Sequence, residues 1–532
     1  MKIQTARFLR RGRVAIGLVV FLGMLAAFVD FRDVVPLPVG HWLASIQFTP
    51  SLVALLSGAG FGLACVLIAL VSILFGRIYC STLCPLGILQ DIVIRLRRML
   101  GRSRRSMRYT APHTTMRNAI LWVVILASLT GAGSAALVLL DPYSHFGRIA
   151  SGIFRPLATI AANAGSDAVR ALGGNGGFRY DVVWPSMAAL VFPMVMLALV
   201  VGLAAWRGRL YCNTVCPVGT LLGWLAKRAA FRLRIDSQAC EKCAACLRSC
   251  KAQCIDLKGG KIDFSRCVGC FDCLPSCEKG AIDFRWSWGG GASRKKEPAL
   301  RGQVAVGSEG VCRRDFLVQS GKGMVALAGV SGFAGAALAV SHPAASRRVI
   351  RPGIAPPGAR SMKRFLDRCT GCHLCVSACP THVLQPALLE FGLLGFMKPH
   401  MNYPAAFCDF DCHRCGDVCP DGAIEPLDLA SKHLTRIGEA QFRREECIVV
   451  RNGTDCAACS EHCPTKAVST VPYGSNLRLP SLDTSLCIGC GACEYACPVK
   501  AITVSPLAIQ GTARKATESR ATLPTSSGDF PF

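Results

Sequence analysis

Four long apolar runs interrupt the first 210 residues, at about 14–29, 52–75, 119–140 and 182–206. Each has the length needed to cross a bilayer, the first only if slightly extended. Basic residues flank them. Lys2, Arg7, Arg10, Arg11 and Arg13 precede the first, Arg77 ends the second, Arg95, Arg97, Arg98, Arg102, Arg104, Arg105 and Arg108 fill the loop behind it, and Arg207 and Arg209 follow the fourth. This bias predicts a cytoplasmic N-terminus, with the Gly- and Ala-rich stretch 141–180 on the other side. No small-residue cleavage site follows the first run, so it is expected to remain as an anchor. A milder run at Gly321–Val340 predicts a fifth span. Arg313-Arg314-Asp315-Phe316-Leu317 stands before it and resembles a twin-arginine export signal in mid-chain, although Cys312 takes the place of the usual Ser or Thr. Four spans return the chain to the cytoplasm, and a fifth puts everything from Cys369 onward in the periplasm. A domain that carries assembled clusters must fold before it crosses, which is the need such a signal serves.

The runs repeat. GRIYCSTLCPLG follows the second and GRLYCNTVCPVG the fourth. Cys80 and Cys84, like Cys212 and Cys216, are spaced i, i+4 and on a helix would share one face. Thiolates suit iron-sulfur, copper(I) or zinc, and spacing does not choose among them. A metal or cluster site shared by the halves and a structural thiol pair both remain open.

Composition agrees with a membrane protein: of 532 residues 51% are hydrophobic and 17% charged. The net charge of +27 would suggest nucleic acid. The basic residues instead border the apolar runs, no nucleic-acid module is present, and thiolate clusters would offset part of the charge. Thirty-one cysteines in C-x2-C blocks of a large chain favour metal over a disulfide scaffold.

Six four-cysteine blocks carry the chemistry. Cys369, Cys372, Cys375 and Cys379 before Pro380, and Cys487, Cys490, Cys493 and Cys497 before Pro498, read C-x2-C-x2-C-x3-C-P, the run by which bacterial ferredoxins hold cubane clusters. Cys408, Cys412, Cys415 and Cys419, and Cys447, Cys456, Cys459 and Cys463, are looser copies. Upstream, Cys240, Cys243, Cys246 and Cys250 and then Cys267, Cys270, Cys273 and Cys277 form a two-cluster module in which Lys251 and Glu278 replace the proline. In such pairs the fourth cysteine closes the partner cluster, so Cys277 joins the first upstream triplet and Cys250 the second. Cys254 and Cys65 read as packed side chains. Cys369-Thr-Gly-Cys372-His373 also matches the covalent haem signal, but Cys375 and Cys379 continue the ferredoxin run in register. The predicted spans contain no histidine for a b-type haem, and no Walker loop, dinucleotide fingerprint or Ser/His/Asp arrangement is present.

The duplicated aromatic-C-x3-C-P motif with its two-cluster module resembles the NapH/MauN and NosR group of ferredoxin-type membrane proteins. The chain after Arg313 resembles the NapG/MauM ferredoxin-type proteins, so the whole resembles a fusion. The resemblance implies a quinol-linked electron-transfer unit serving a periplasmic redox enzyme or cytochrome, in the bacterial inner membrane. By analogy with four-cluster subunits, the first C-terminal block would pair with the fourth and the second with the third.

The expected fold is a membrane α-helical bundle of about five spans plus α+β ferredoxin domains. Residues 1–235 form the membrane domain, 236–285 the two-cluster domain, 286–311 a linker, 312–341 the signal or fifth span, 350–510 the four-cluster domain and 511–532 a disordered tail. Expected cofactors are six [4Fe-4S] clusters, with a further iron-sulfur or metal site only if the C-x3-C-P pairs are ligands and not a structural thiol pair, and quinone is the redox partner. The quinone contact is sought at Asp141-Pro-Tyr143-Ser-His145, where a histidine could take a quinol proton and where a plain surface turn is the competing reading. A redox-sensing or assembly protein for a partner metalloenzyme is the alternative function.

Overall fold

The computed structural model describes residues 3–58, 62–100, 109, 111–130, 133–174, 178–288, 351–474 and 476–514. The twin-arginine-like segment with its fifth span lies outside these residues, as do the linker beyond residue 288 and the tail beyond 514.

Helix α1 (Ile3–Val29) is the strut of the molecule. It is followed by α2 (Leu37–Ser45) and α3 (Phe48–Leu56), which meet at an 84° bend. Helix α4 (Leu63–Phe75) ends on Gly76, whose φ of 84° suits only glycine and turns the chain into a short helix α5 (Tyr79–Thr82). Pro85 then occupies the first position of α6 (Pro85–Met99), where its missing N–H costs nothing. After α7 (Thr114–Leu129), α8 (Gly133–Leu140) and α9 (Pro142–Ile149), a π-helical turn over Ala150–Phe154 leads into α10 (Arg155–Ala171). The first plan then recurs. Helix α11 (Met187–Arg207) stops at Gly208 with φ 68°, α12 (Leu210–Thr214) makes the short turn, and Pro217 starts α13 (Pro217–Ala226).

Among the described residues two helices, α1 and α11, are long and apolar enough to cross a membrane, and the bent pair α2–α3 makes a third candidate if it counts as one span. The four continuous runs read from the sequence are therefore met only in part. The run 52–75 is divided between α3 and α4, and 119–140 between α7 and α8. Gly58, Gly60 and Gly62 crowd the first break, Gly131 and Gly133 the second. Each glycine inside a helix costs roughly 1 kcal/mol relative to alanine, which hydropathy alone does not register.

Beyond α13 the two-cluster module opens on β1 (Phe231–Ile235), contains the hairpin of β2 (Ile255–Asp256) and β3 (Lys261–Ile262), and closes when β4 (Ile282–Trp286) pairs antiparallel with β1. In the C-terminal domain β5 (Leu384–Pro386) pairs with β6 (Pro399–Met401), β7 (Thr435–Phe442) with β10 (Ile502–Thr512), and β8 (Val468–Tyr473) with β9 (Leu477–Leu482), all antiparallel. Strand β10 runs to Thr512, so pairing continues past Gly511, where the tail was expected to begin.

The two cysteine-rich parts dock on opposite ends of α1. Near its start, Arg10 Nε donates to Asp272 Oδ1 of the two-cluster module at 2.9 Å. Near its end, Phe28 packs on Phe146, and a Cβ on neighbouring Gly147 would lie 2.1 Å from the carbonyl oxygen of Cys372. Further ties hold the C-terminal domain to the helices. Arg368 Nη2 donates to Ser57 O at 3.0 Å, and Lys398 Nζ to Ser134 Oγ at 3.0 Å.

Candidate redox centres

Short helical turns in five of the blocks, and plain turns in the Cys267 to Cys277 block, gather the block cysteines into compact sets. Burial pushes the Cys375 thiol up, and the charges of Cys372, Cys369 and Cys419 add to it. Cys415 is raised by burial and then by Cys408, Cys379 and Cys412. The first C-terminal block therefore exchanges its fourth cysteine with the second block. In the same way burial lifts Cys459 to about 12 with help from Cys497, Cys456 and Cys447, and lifts Cys493 with help from Cys490, Cys487 and Cys463, so the third block exchanges with the fourth. This corrects the pairing of first with fourth and second with third. The chain order of neighbouring hairpins decides it: Thr370 donates to Asp421 at the end of the second block, which locks those two loops together. Upstream, Cys246 is joined by Cys277, Cys240 and Cys243, and Cys273 by Cys270, Cys267 and Cys250, the exchange that the spacing predicts. Thiols held protonated by burial become thiolates when a metal displaces the proton.

Cys254 lies with its Sγ 3.6 Å from that of Cys250, so the small packed side chain sits against a block cysteine. Cys65 is buried in α4, its thiol donating to Gly62 O at 3.0 Å. His373 directs Nε2 to the carbonyl of Met397 at 2.8 Å.

The C-x3-C-P cysteines converge from both repeats. Cys80, Cys84, Cys212 and Cys216 are all buried and within electrostatic reach of one another. They do not share a helix face, as the i, i+4 spacing suggested: Cys80 and Cys212 sit in the short helices α5 and α12, while Cys84 and Cys216 are the N-caps of α6 and α13. A helix N-terminus favours thiolate, and Gly219 N donates to Cys216 Sγ at 3.2 Å. The arrangement is reciprocal. Arg77 Nη2 donates to Cys212 O at 3.0 Å, and Arg209 Nη1 donates to Cys80 O. A Cβ on Gly87 or Gly219 would fall within 2.5 Å of the same two carbonyls, so glycine is required there. Gln90 Nε2 approaches Cys212 Sγ at 3.4 Å. Among the described residues no three His, Cys, Asp or Glu side chains are grouped to hold a single metal ion.

Arg77 and Arg209, read from the sequence as cytoplasmic flanks, are fully buried at this site. Asp91 was not singled out at all, yet it receives Arg209 at 2.9 Å, Arg13 at 3.0 Å and Lys251 at 3.3 Å. Lys251, which replaces the usual proline, also bridges to Asp272 at 3.0 Å. Only the repetition of Gly-Arg before each Tyr-Cys pointed to this cluster of charges.

Asp141 to His145 forms neither an exposed contact nor a surface turn. Asp141 caps α9, accepting from Ser144 N at 2.7 Å, and His145 is 1% exposed, packed between Phe192 and Tyr211. Tyr143 stands beside Cys372. The segment is a wedge between the helices and the first C-terminal block.

A cavity of about 180 Å³ lies elsewhere, between the π-helical turn with the start of α10 and the loop after Cys379. Phe31, Tyr180 and Trp184 line it with Arg155, His382 and Gln385. His382 N donates to Cys379 O at 3.3 Å, so the cavity wall and the cysteine loop are one piece of backbone.

Models of 4Fe-4S binding domains match residues 57–103, 189–236 and 480–503, and a 4Fe-4S dicluster domain matches 368–424. The dicluster match spans the first and second C-terminal blocks, the pair that the structure joins. The methylamine utilization ferredoxin-type protein MauM of Methylobacillus flagellatus is 33% identical over 177 residues, 31% of this chain and 70% of that protein. The ferredoxin-type protein NapG of Escherichia coli is 32% identical over 187 residues, 33% of this chain and 77% of that protein. The methylamine utilization ferredoxin-type protein MauN of Methylobacillus flagellatus is 26% identical over 262 residues, 47% of this chain and 78% of that protein. No solved structure matches. With its iron-sulfur domains, candidate spans and relatives in different parts of the chain, this protein belongs to the MauM and NapG ferredoxin-type family, fused to a part similar to MauN.

Proposed function

We propose that this protein takes electrons from a membrane quinol and delivers them to a periplasmic redox enzyme or cytochrome. The observation that carries the reading is the cavity beside the Cys379 loop. Its aromatic walls suit a flat ring, and Arg155, His382 and Gln385 offer polar partners for two ring oxygens. It replaces Asp141 to His145 as the candidate quinol contact.

Each of the six blocks would supply three ligands to one [4Fe-4S] cluster and one to its partner, about 24 iron atoms per chain. Those clusters supply one-electron acceptance and release. Oxidation of a quinol releases two electrons and two protons. Cys408, Cys412, Cys415 and Cys379 would hold the cluster nearest the cavity, which would accept the electrons one at a time, and the two protons would leave to water. In this reading about five spans leave the two-cluster module in the cytoplasm and the four-cluster domain in the periplasm.

The test mixes anaerobically purified full-length protein with a quinol analogue and follows cluster reduction by electron paramagnetic resonance. Reduction that slows in Tyr180→Ala and Gln385→Ala supports the reading. Protein with full iron that a strong chemical reductant reduces but the quinol does not would overturn it in favour of a sensing or assembly role.

A further inference from the structure

The ends of α1 that carry the two ferredoxin parts are far apart. Arg10 and Phe28 are separated by about 27 Å at the helical rise of 1.5 Å per residue. Electron tunnelling through protein weakens exponentially with distance, so a gap of this size calls for an intermediate carrier. The four C-x3-C-P thiols stand in it. Ser81, between Cys80 and Cys84, accepts from Arg13 Nη1 at 3.2 Å, and its carbonyl lies 3.3 Å from a Cβ built on Gly17, one to two turns along α1 from Arg10. On the near side Arg77 Nη1 donates to Ser265 O, two residues before Cys267, at 3.0 Å. On the far side Tyr211 OH donates to Leu140 O at 3.2 Å, the residue before the Asp141 wedge, and Tyr143 of that wedge stands beside Cys372.

The charges around the thiols need a counter-charge. Arg77 is fully buried, no carboxylate lies within ion-pair distance of it among the described residues, and its Nε has no partner. Arg209 has a carboxylate in Asp91, yet its Nη2 is also without a partner. A buried guanidinium without an anion is strongly unfavourable. Four thiolates around an oxidised iron-sulfur core leave roughly two negative charges, the number that two arginines balance. The helix N-termini at Cys84 and Cys216 favour the same thiolate form. The 4Fe-4S domain models match both repeats, and each repeat brings only two motif cysteines, so four ligands require both.

We propose that Cys80, Cys84, Cys212 and Cys216 hold one redox-active iron-sulfur cluster shared by the two repeats, and that it relays single electrons between the two-cluster module and the four-cluster domain. The relay rests on the reading of the six blocks as cluster ligands. Each step oxidises the centre that gives the electron and reduces the one that receives it, with no bond made and no proton moved.

The test uses the full chain, purified anaerobically. Metal analysis and Mössbauer spectroscopy are compared between the natural protein and a variant with all four cysteines changed to serine, with Cys84→Ser/Cys216→Ser as a milder second variant. The expected result is the loss of about two to four iron atoms, one cluster, with the signals of the other clusters kept. In the same variants the quinol analogue still reduces the four-cluster domain, while the two-cluster module stays oxidised. Unchanged iron overturns the proposal, and so does zinc at the site. If neither variant folds, the natural protein decides, because a total of about 24 iron atoms leaves nothing for a seventh centre. Should the quinol reduce no cluster even in the natural protein, the quinol reading fails alone, and the iron count still tests the shared cluster.

Discussion

Arg209 Nε donates to Asp91 Oδ1 at 2.9 Å, an ion pair that binds the second repeat to the first and is closed to water on the arginine side. Arg13 from α1 and Lys251 from the two-cluster module complete the set, so one carboxylate joins four parts of the chain. Asp91→Asn keeps the shape and strands Arg209 and Arg13, while Lys251 keeps Asp272. Breaking a buried pair in this way costs about 3–5 kcal/mol. The expected outcome is a large fall in the thermal unfolding midpoint in detergent, with the two-cluster module becoming sensitive to protease first.

Arg414 and Asp33 also form a two-pronged pair, with distances of 2.7 and 3.0 Å, between the C-terminal domain and the loop after α1. Asp33 is largely exposed. Arg414→Ala is therefore expected to cost at most about 1 kcal/mol, and less in high salt. Comparing its unfolding midpoint with that of Asp91→Asn under the same conditions checks the contrast.

Gly147→Ala places a methyl group against the Cys372 carbonyl and the Phe28 ring. Overpacking of this kind costs about 1–3 kcal/mol, and here it should loosen the C-terminal domain from the helices. Gly12→Ala in α1 meets nothing within 4 Å and is expected to stabilise by roughly 0.5–1 kcal/mol. Unfolding midpoints of the two variants should move in opposite directions.

Exchange of the fourth cysteine between neighbouring blocks can be counted. Cys369→Ser with Cys419→Ser removes two ligands of one set and should cost about four iron atoms. Cys369→Ser with Cys497→Ser strikes two sets and should cost about eight. The reverse order, about eight atoms lost in the first variant and about four in the second, would return the question of pairing to the first-with-fourth scheme.

The ferredoxin chemistry was legible because its ligands are local: three cysteines on one loop announce themselves by spacing. What stayed hidden is long-range. The exchange between the first and second C-terminal blocks depends on Thr370 meeting Asp421, 51 residues away. The breaks in two of the apolar runs fall where glycines cluster in the sequence, a signal that average hydrophobicity passes over. Arg77 and Arg209 carry the same charge on a cytoplasmic flank as in a buried site, so only their fixed place in the repeated Gly-Arg-x-Tyr-Cys hints at the second role. His145 lay in a polar stretch at a run's end, and nothing in its neighbours revealed that the C-terminal domain covers the segment that carries it.

That covering changes the meaning of the covalent join. Arg368 on Ser57, Lys398 on Ser134 and the Cys372 loop on Gly147 are the contacts of a subunit interface, made here within one polypeptide. A covalent join raises the local concentration of one piece around the other without adding any contact of its own. A chain cut between residues 289 and 350 should stay together as a complex of two polypeptides, held by the same surface that separate membrane and ferredoxin subunits would use.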